Sequence, residues 1–379
     1  MLGRLKLFSL VDRYIMAQLL LPFFFGLGIF TSLGLSIGVL FDVMRKVVAN
    51  DITAAIAAQI LALRLPEFLV LGLPMAVLLG CLSAYSGLST YSEIIALRSA
   101  GLSPIRLMVP CVMAGLLVTG VTFYLNDLIV PQTTRQATIT LNTAMGEEAD
   151  DFQKKNIIYP EYQRLDEESG DRREVLKTLF YAERFDGQTM RKLTVLDRAE
   201  INTSKIITAA AASWNAEQKG WDMRQGSIYQ IGENGSFNNI QAFDSQFLNL
   251  SQAPLILATQ CQRSNEMDLQ VIDLCLDSLA LSRNEKKIRQ LQVKRQEKFA
   301  LPAICVVFAI VGAAIGLRPQ NSSRATSVGL SVIIVFSYYL ISVITSSMGV
   351  WGTLTPVVGA WLPNLLGLVA AGLIIWRTG

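Results

Sequence analysis

The chain has 379 residues, 51% hydrophobic and 17% charged, with a formal net charge of +3 and no histidine. Soluble domains carry about 25% charged residues, so this composition argues against an ordinary soluble enzyme, and the near-balanced charge gives no field for nucleic acid. The absence of histidine excludes Ser-His-Asp and Cys-His catalysis, histidine-based zinc sites and histidine phosphorelay.

Uncharged stretches come first along the chain. Tyr14 to Phe41 runs 28 residues between Arg13 and Asp42. A secretory leader has an apolar core of only about 7–15 residues, so this stretch reads as an uncleaved span. Phe68–Ser92 is the second span, and Pro66 and Pro74 predict a kink in it. Leu107–Asn126 is the third and Phe299–Leu317 the fourth. Ala325–Trp376 is uncharged over 52 residues. A membrane helix takes about 20, so that stretch holds two spans, broken at Ser346–Gly349, Gly352-Thr353 and Pro356. The sum is six.

Lysine and arginine in short loops set orientation. With the N-terminus in the cytoplasm, Arg4, Lys6, Arg13, Arg98, Arg106, Arg318, Arg324 and Arg377 fall inside, and the short outer loops hold only Arg45 and Lys46. Both termini are then cytoplasmic, and residues 127–298 are extracytoplasmic. Within them, 131–177 reads as polar and irregular, with an acidic cluster at Glu147, Glu148, Asp150 and Asp151 and a loop at Asp166–Arg173. Strands are predicted at Thr178–Phe185, Met190–Asp197, Ile201–Ala211, Trp221–Ile231 and Phe237–Leu248, with turns at Asp186-Gly187, Lys219-Gly220 and Gly232–Gly235. The fold class is therefore an α-helical integral membrane protein with six transmembrane helices plus an extracytoplasmic all-β, jelly-roll-like domain between helices 3 and 4. An open sheet edge and a closed sandwich are both compatible with the pattern. The predicted divisions are 1–130, 131–264, a connector helix at 265–298, and 299–379. The connector's apolar face is Met267, Val271, Leu274, Leu281, Ile288 and Leu291, and Arg283–Arg295 is basic.

Chemistry-bearing motifs are few. There is no Gly-Lys pair, so no P-loop. Cys81, Cys111, Cys261, Cys275 and Cys305 form no C-x-x-C pair, and neither a metal cluster nor a disulfide scaffold is expected. Cys261 and Cys275 are the only two placed to meet. The informative segment joins spans two and three. Glu93–Arg98 predicts a short helix with Ile94, Ile95 and Leu97 on an apolar face; Gly101 stops it, and Ser103-Pro104 starts the next helix. Such a helix is either a docking element, as in many transporters, or an ordinary interfacial loop helix.

The stretch EIIALRSAGLSPIRLMVP at 93–110 resembles the signature of the lipopolysaccharide export permease family, LptF/LptG (also YjgP/YjgQ). Asp12-Arg13-Tyr14, Asn126 with Val130-Pro131, Arg295 to Pro302, Tyr338-Tyr339 and Trp361 to Asn364 agree in order. The resemblance implies an inner-membrane permease of a Gram-negative-type bacterium, without its own ATPase motif or cofactor. It implies a cytoplasmic ABC ATPase dimer, a second permease subunit (paralogue or self), a periplasmic jelly-roll bridge protein and lipopolysaccharide as partners, and no nucleic acid. Glu93, Ile94, Leu97, Arg98 and Gly101 would then couple to the ATPase. Arg45, Lys46, Arg64, Arg295 and Lys298 would form a cationic rim for the acidic groups of the lipid. Anchoring to ordinary headgroups by snorkelling is the plainer reading of that rim, and Glu67 lies in helical register to neutralise Arg64. The alternative function is a membrane-anchored scaffold or sensor with an extracytoplasmic β domain.

Overall fold

The computed structural model describes residues 9–49, 52–145, 153–166, 172–186, 189–200, 203–215, 218, 220–231, 237–248, 256, 261, 266–280, 285–317 and 324–378. The chain divides into two compact units, Met1–Thr138 with Gln292–Gly379, and Ile139–Leu291.

The first unit is helical. A first long helix comprises α1 (Leu10–Leu35), a π turn (Ser36–Leu40) and α2 (Phe41–Val48). Then come α3 (Ala54–Thr90), the short α4 (Glu93–Ser99), and α5 (Pro104–Tyr124), which passes through a second π turn (Leu125–Ile129) into α6 (Val130–Ala144). After the sheet, α7 (Leu269–Ala280) precedes α8 (Glu285–Gly316), α9 (Arg324–Trp351) and α10 (Pro356–Thr378). Six of these helical stretches are long and apolar enough to cross a membrane. Serine and threonine cap the starts. Ser9 and Asp12 make a capping box, and the Ser103 hydroxyl accepts from the Arg106 amide with Pro104 at the first position.

Between apolar helices in lipid there is no hydrophobic drive, so close packing and buried polar contacts must hold them. Glycines supply the close packing. A Cβ at Gly115 would lie 2.8 Å from the Ala309 Cβ, and one at Gly316 2.6 Å from the Tyr85 Cβ, which lets α8 approach α5 and α3. Hydroxyls and amides supply the polar contacts. Tyr338 donates to Asn364 at 2.7 Å, Asn364 donates to the Ala300 carbonyl at 2.9 Å, and the Trp361 indole donates to Gln296 at 3.2 Å. The helices of spans two and four are mostly buried, whereas those of spans one, five and six carry wide exposed apolar faces.

The second unit carries one six-stranded antiparallel sheet in sequence order: β1 (Gln153–Asp166), β2 (Arg172–Asp186), β3 (Thr189–Glu200), β4 (Thr203–Asn215), β5 (Gly220–Ile231) and β6 (Phe237–Leu248). This is a meander, whereas a jelly roll built from Greek keys would interleave strands from distant parts of the chain. The sheet nonetheless wraps around its own core. Phe180 on β2 and Trp221 on β5 stand three strands apart, about 14 Å in a flat sheet, yet their ring centroids are 5.4 Å apart. The enclosed face holds Phe180, Phe185, Met190, Leu193, Trp221 and Met223, all buried. Burying each such side chain is worth about 1.5–3 kcal/mol.

A line of slips crosses this sheet. A half-buried strand alternates in and out, but here the buried positions are 182 and 185, 190 and 193, 209 and 212. Between them two successive residues point away from the core: Glu183 and Arg184, Arg191 and Lys192, Ala210 and Ala211; on β5, Arg224 and Gln225 are likewise exposed. The slips are aligned, since Arg184 pairs with Arg191, Arg191 with Ala211, and Ala211 with Arg224. Lys192 (φ 51°) and Gln225 (φ 50°) are left-handed at this crease, and the cross-strand register is the same on both sides of it.

Several expectations are corrected. Residues 131–177 are not irregular: α6 runs to Ala144, and β1 and the start of β2 occupy most of the rest. The connector is two helices, and Leu274 is exposed while Ile272, Cys275 and Leu279 are buried. Disulfides join Cys81 to Cys111 across α3 and α5, and Cys261 to Cys275; the first pair meets through helix packing that linear spacing does not reveal. The acidic cluster Glu147, Glu148, Asp150 and Asp151, the turn residues Gly187, Lys219 and Gly232–Gly235, and Leu281, Arg4, Lys6 and Arg318 lie outside the described residues.

Candidate functional site at the loop between spans two and three

Helix α4 is short because both ends are set by left-handed residues. Ser92 (φ 58°) turns the chain out of α3, and Gly101 (φ 92°) turns it out of α4. The Gly101 amide donates to the Arg98 carbonyl at 2.9 Å and the Leu102 amide to the Leu97 carbonyl at 3.2 Å. This is the Schellman pattern, and Leu97 and Leu102 both pack against the same buried cluster.

The helix is built into the bundle on one side. Ile94 is buried in a core shared with Leu88, Leu107 and Ile15, and Leu97 packs against the same core. Ile95 does not join them: it is 56% exposed, with Arg98 exposed beside it. The predicted apolar face is thus divided. Ile94 and Leu97 fasten α4 to its own protein, and Ile95, Arg98 and Tyr91 form the surface that faces away from it.

Two polar contacts extend the fastening to α1, and no local pattern announces either. The Tyr14 hydroxyl donates to Glu93 Oε2 at 2.8 Å. Arg106 at the start of α5 grips Asp12 with both terminal nitrogens, at 2.8 and 2.6 Å. Asp12 also accepts from the Ser9 amide at 2.9 Å, so one buried carboxylate joins a helix cap to a planar, bidentate cation. The partners are 79 and 94 residues apart in sequence. An apolar groove of about 710 Å³ lies beside Tyr14 and Glu93, lined also by Gln18, Phe25, Leu79 and Val328.

The five predicted rim cations are placed differently from one another. Arg45 is exposed and Lys46 half-buried in the last turn of α2. Arg64 pairs with Glu67 at 2.9 Å, as their spacing allows. Arg295 is half-buried. Lys298 is 8% exposed, and its ammonium donates at 2.7 Å to the Asn126 carbonyl inside the second π turn. A π turn displaces carbonyls from the regular ladder, and Lys298 satisfies one of them.

Six membrane-length helices interrupted by a folded sheet, with a fastened loop helix, define a multi-pass membrane protein. The family model described as lipopolysaccharide export system permease LptF/LptG matches residues 13–377. The chain belongs to this family, and it is a transporter subunit of the inner membrane rather than an enzyme. No curated protein matches the chain.

Proposed function

We propose that the chain is the membrane permease subunit of an ABC transporter that extracts lipopolysaccharide from the inner membrane and passes it to a periplasmic bridge. A cytoplasmic ATPase dimer supplies the energy, and a second permease subunit completes the pair. The observation that carries this reading is α4. It is locked to the bundle by Ile94, Leu97 and Glu93, yet it presents Ile95 and Arg98 outward. A helix fastened on one face and bare on the other is suited to transmit force from a docked partner, with Arg98 fixing register by charge.

Both termini are placed in the cytoplasm. The arginines around α4 support this. The rim of Arg45, Lys46, Arg64, Arg295 and Lys298 then lies toward the outer leaflet and receives the acidic headgroup. Strand β6 is exposed, with Ile240 62% exposed, and it has a neighbour only in β5 among the described strands. Such an edge suits handover by strand addition.

Arg98→Glu tests the docking. The side chain is exposed, so the bundle is expected to fold normally while recovery of the ATPase with the permease falls at least about tenfold, the effect of one lost charge pair in a buried interface. Unchanged recovery together with unchanged lipid-stimulated ATP hydrolysis would refute the assignment.

A further inference from the structure

We propose that Tyr338 and Tyr339 are positioning residues that fix the rotation of α9, the fifth span, about its own axis. In water an amphipathic helix is turned by its apolar face, but a span in lipid gains nothing by burying one apolar side rather than another. The outward side of α9 carries Val332, Ile333, Phe336, Leu340, Val343 and Ile344, all exposed. Its inward side is built largely from small and hydroxyl-bearing residues. Ser327, Ser331, Val335, Tyr338, Thr345 and Gly349 are buried there, recurring at helical spacing. Several of these set no direction. The Ser331 hydroxyl donates to the Val328 carbonyl at 2.7 Å and that of Thr345 to the Ser342 carbonyl at 3.2 Å, both within α9. Near the outer end α9 meets α10 as backbone, since a Cβ at Gly359 would lie 2.9 Å from the Thr345 carbonyl oxygen. A face of backbone and of hydroxyls folded onto their own helix is smooth, and tolerates turning.

The two tyrosines reach out from it. Tyr338 donates to Asn364 Oδ1 of α10 at 2.7 Å, and Asn364 in turn donates to the Ala300 carbonyl of α8 at 2.9 Å. The Tyr338 ring also meets Phe308 of α8 edge to face, with centroids 5.1 Å apart. Tyr339 leaves the helix about 100° further round. Its hydroxyl stands 3.5 Å from the Leu71 carbonyl of α3, a long contact, and its ring packs on the cluster that holds Leu78, Ile304 and Val335. One arm thus points to α8 and α10 and the other to α3, and two directions leave no free rotation. Turning α9 would strand both hydroxyls where there is no water to receive them. The clamp also joins α9 to the helix that leads into the coupling loop, because α3 ends at Thr90 and α4 begins at Glu93. A movement entering at α4 passes through α3 to Tyr339, and from Tyr338 to the last span and the fourth; this consequence rests on the proposed transport reading.

The test uses the full chain in nanodiscs, with one spin label at a time on α9 and dissolved oxygen as the probe of lipid exposure. Labels go to the exposed positions Ile333, Phe336, Leu340 and Val343 and to the half-buried Ile334 and Ser342. The native cysteines do not interfere, since Cys81, Cys111, Cys261 and Cys275 are disulfide-bonded and Cys305 is buried. Wild type is expected to show higher oxygen exposure at the first four positions than at the other two. In Y338F/Y339F that contrast should fall at least about twofold, the scale of one hydrogen bond between membrane helices. The Y338F/N364L variant removes a donor and its acceptor together, so it should melt near wild type and lose the same contrast, which separates turning from unfolding. In both variants lipid released per ATP hydrolysed should fall while ATPase recovery is unchanged. No contrast in wild type, or contrast unaltered in both variants, would overturn the clamp. Contrast lost in Y338F/Y339F and kept in Y338F/N364L would overturn it too, because ring packing rather than the bond would then hold the helix. Contrast lost with lipid release per ATP unaltered would overturn the positioning role and leave the transport reading standing. Contrast lost with no lipopolysaccharide released by wild type would sustain the clamp and remove the transport reading.

Discussion

Asp12 and Arg106 show what a single pair contributes at the base of the bundle. The Asp12 side chain is 7% exposed and that of Arg106 30%, so part of their attraction is screened by solvent. Removing one partner leaves the other in a half-dry site and costs about 1–3 kcal/mol. Asp12→Asn is expected to lower the melting temperature and to reduce lipid released per ATP hydrolysed, because α1 is no longer tied to the start of α5. The D12R/R106D exchange should recover both quantities in part. An exchange variant no better than either single replacement would show that the pair does not act as a tie. Neither this pair nor Tyr14–Glu93 was legible in the sequence, since side chains 94 and 79 residues apart leave no periodic signal. Glu93, Arg98 and Gly101 were legible, because a local helix start and stop are written within a few residues.

Among elements, α4 depends on how it ends. Gly101 has φ 92°, and a Cβ there would meet nothing within 4 Å, so replacement tests backbone conformation alone. Gly101→Val should cost about 1–2 kcal/mol in the left-handed region, fray the last turn of α4 and reduce ATPase recovery, with Gly101→Asn milder. Equal recovery for all three residues, measured by co-purification, would show that the stop is dispensable. Element type was readable wherever burial imposes a period. The six apolar stretches gave the spans, and β2 to β6 showed alternation and turns. The strand β1 showed neither. It alternates in the structure, with Ile157 and Tyr159 toward the core and Ile158 64% exposed, but the run Ile157-Ile158-Tyr159 is apolar on both faces and so carries no polar break to mark the period. Strand order was also illegible as a jelly roll, because hydrophobic periodicity reports which face is buried and not which strand is the neighbour. The crease was visible in principle, as a slip of one residue in the apolar alternation at the same height in successive strands.

At the scale of the whole molecule, the cationic rim proposed to receive the lipid headgroup combines exposed and buried cations. Charge reversal at Arg45 and Lys298 together is expected to lower lipopolysaccharide co-purification at least about fivefold while ATPase recovery persists, as two lost charge-assisted contacts would. Lys298 also supports the second π turn, so Arg45→Glu alone separates lipid binding from that support. Lipid recovery and transport unaffected by the double reversal would mean that acyl chains hold the substrate. The two π turns, Ser36–Leu40 and Leu125–Ile129, carry a further consequence. Each stores one residue more than a regular helix needs for the same rise. Everywhere else in a span, losing one residue would swing the following half through about 100° and exchange its lipid face for its protein face. At Gly38 or Leu128 the surplus alone would vanish, and both halves would keep their facing; these two places are the spans' tolerance for change in length.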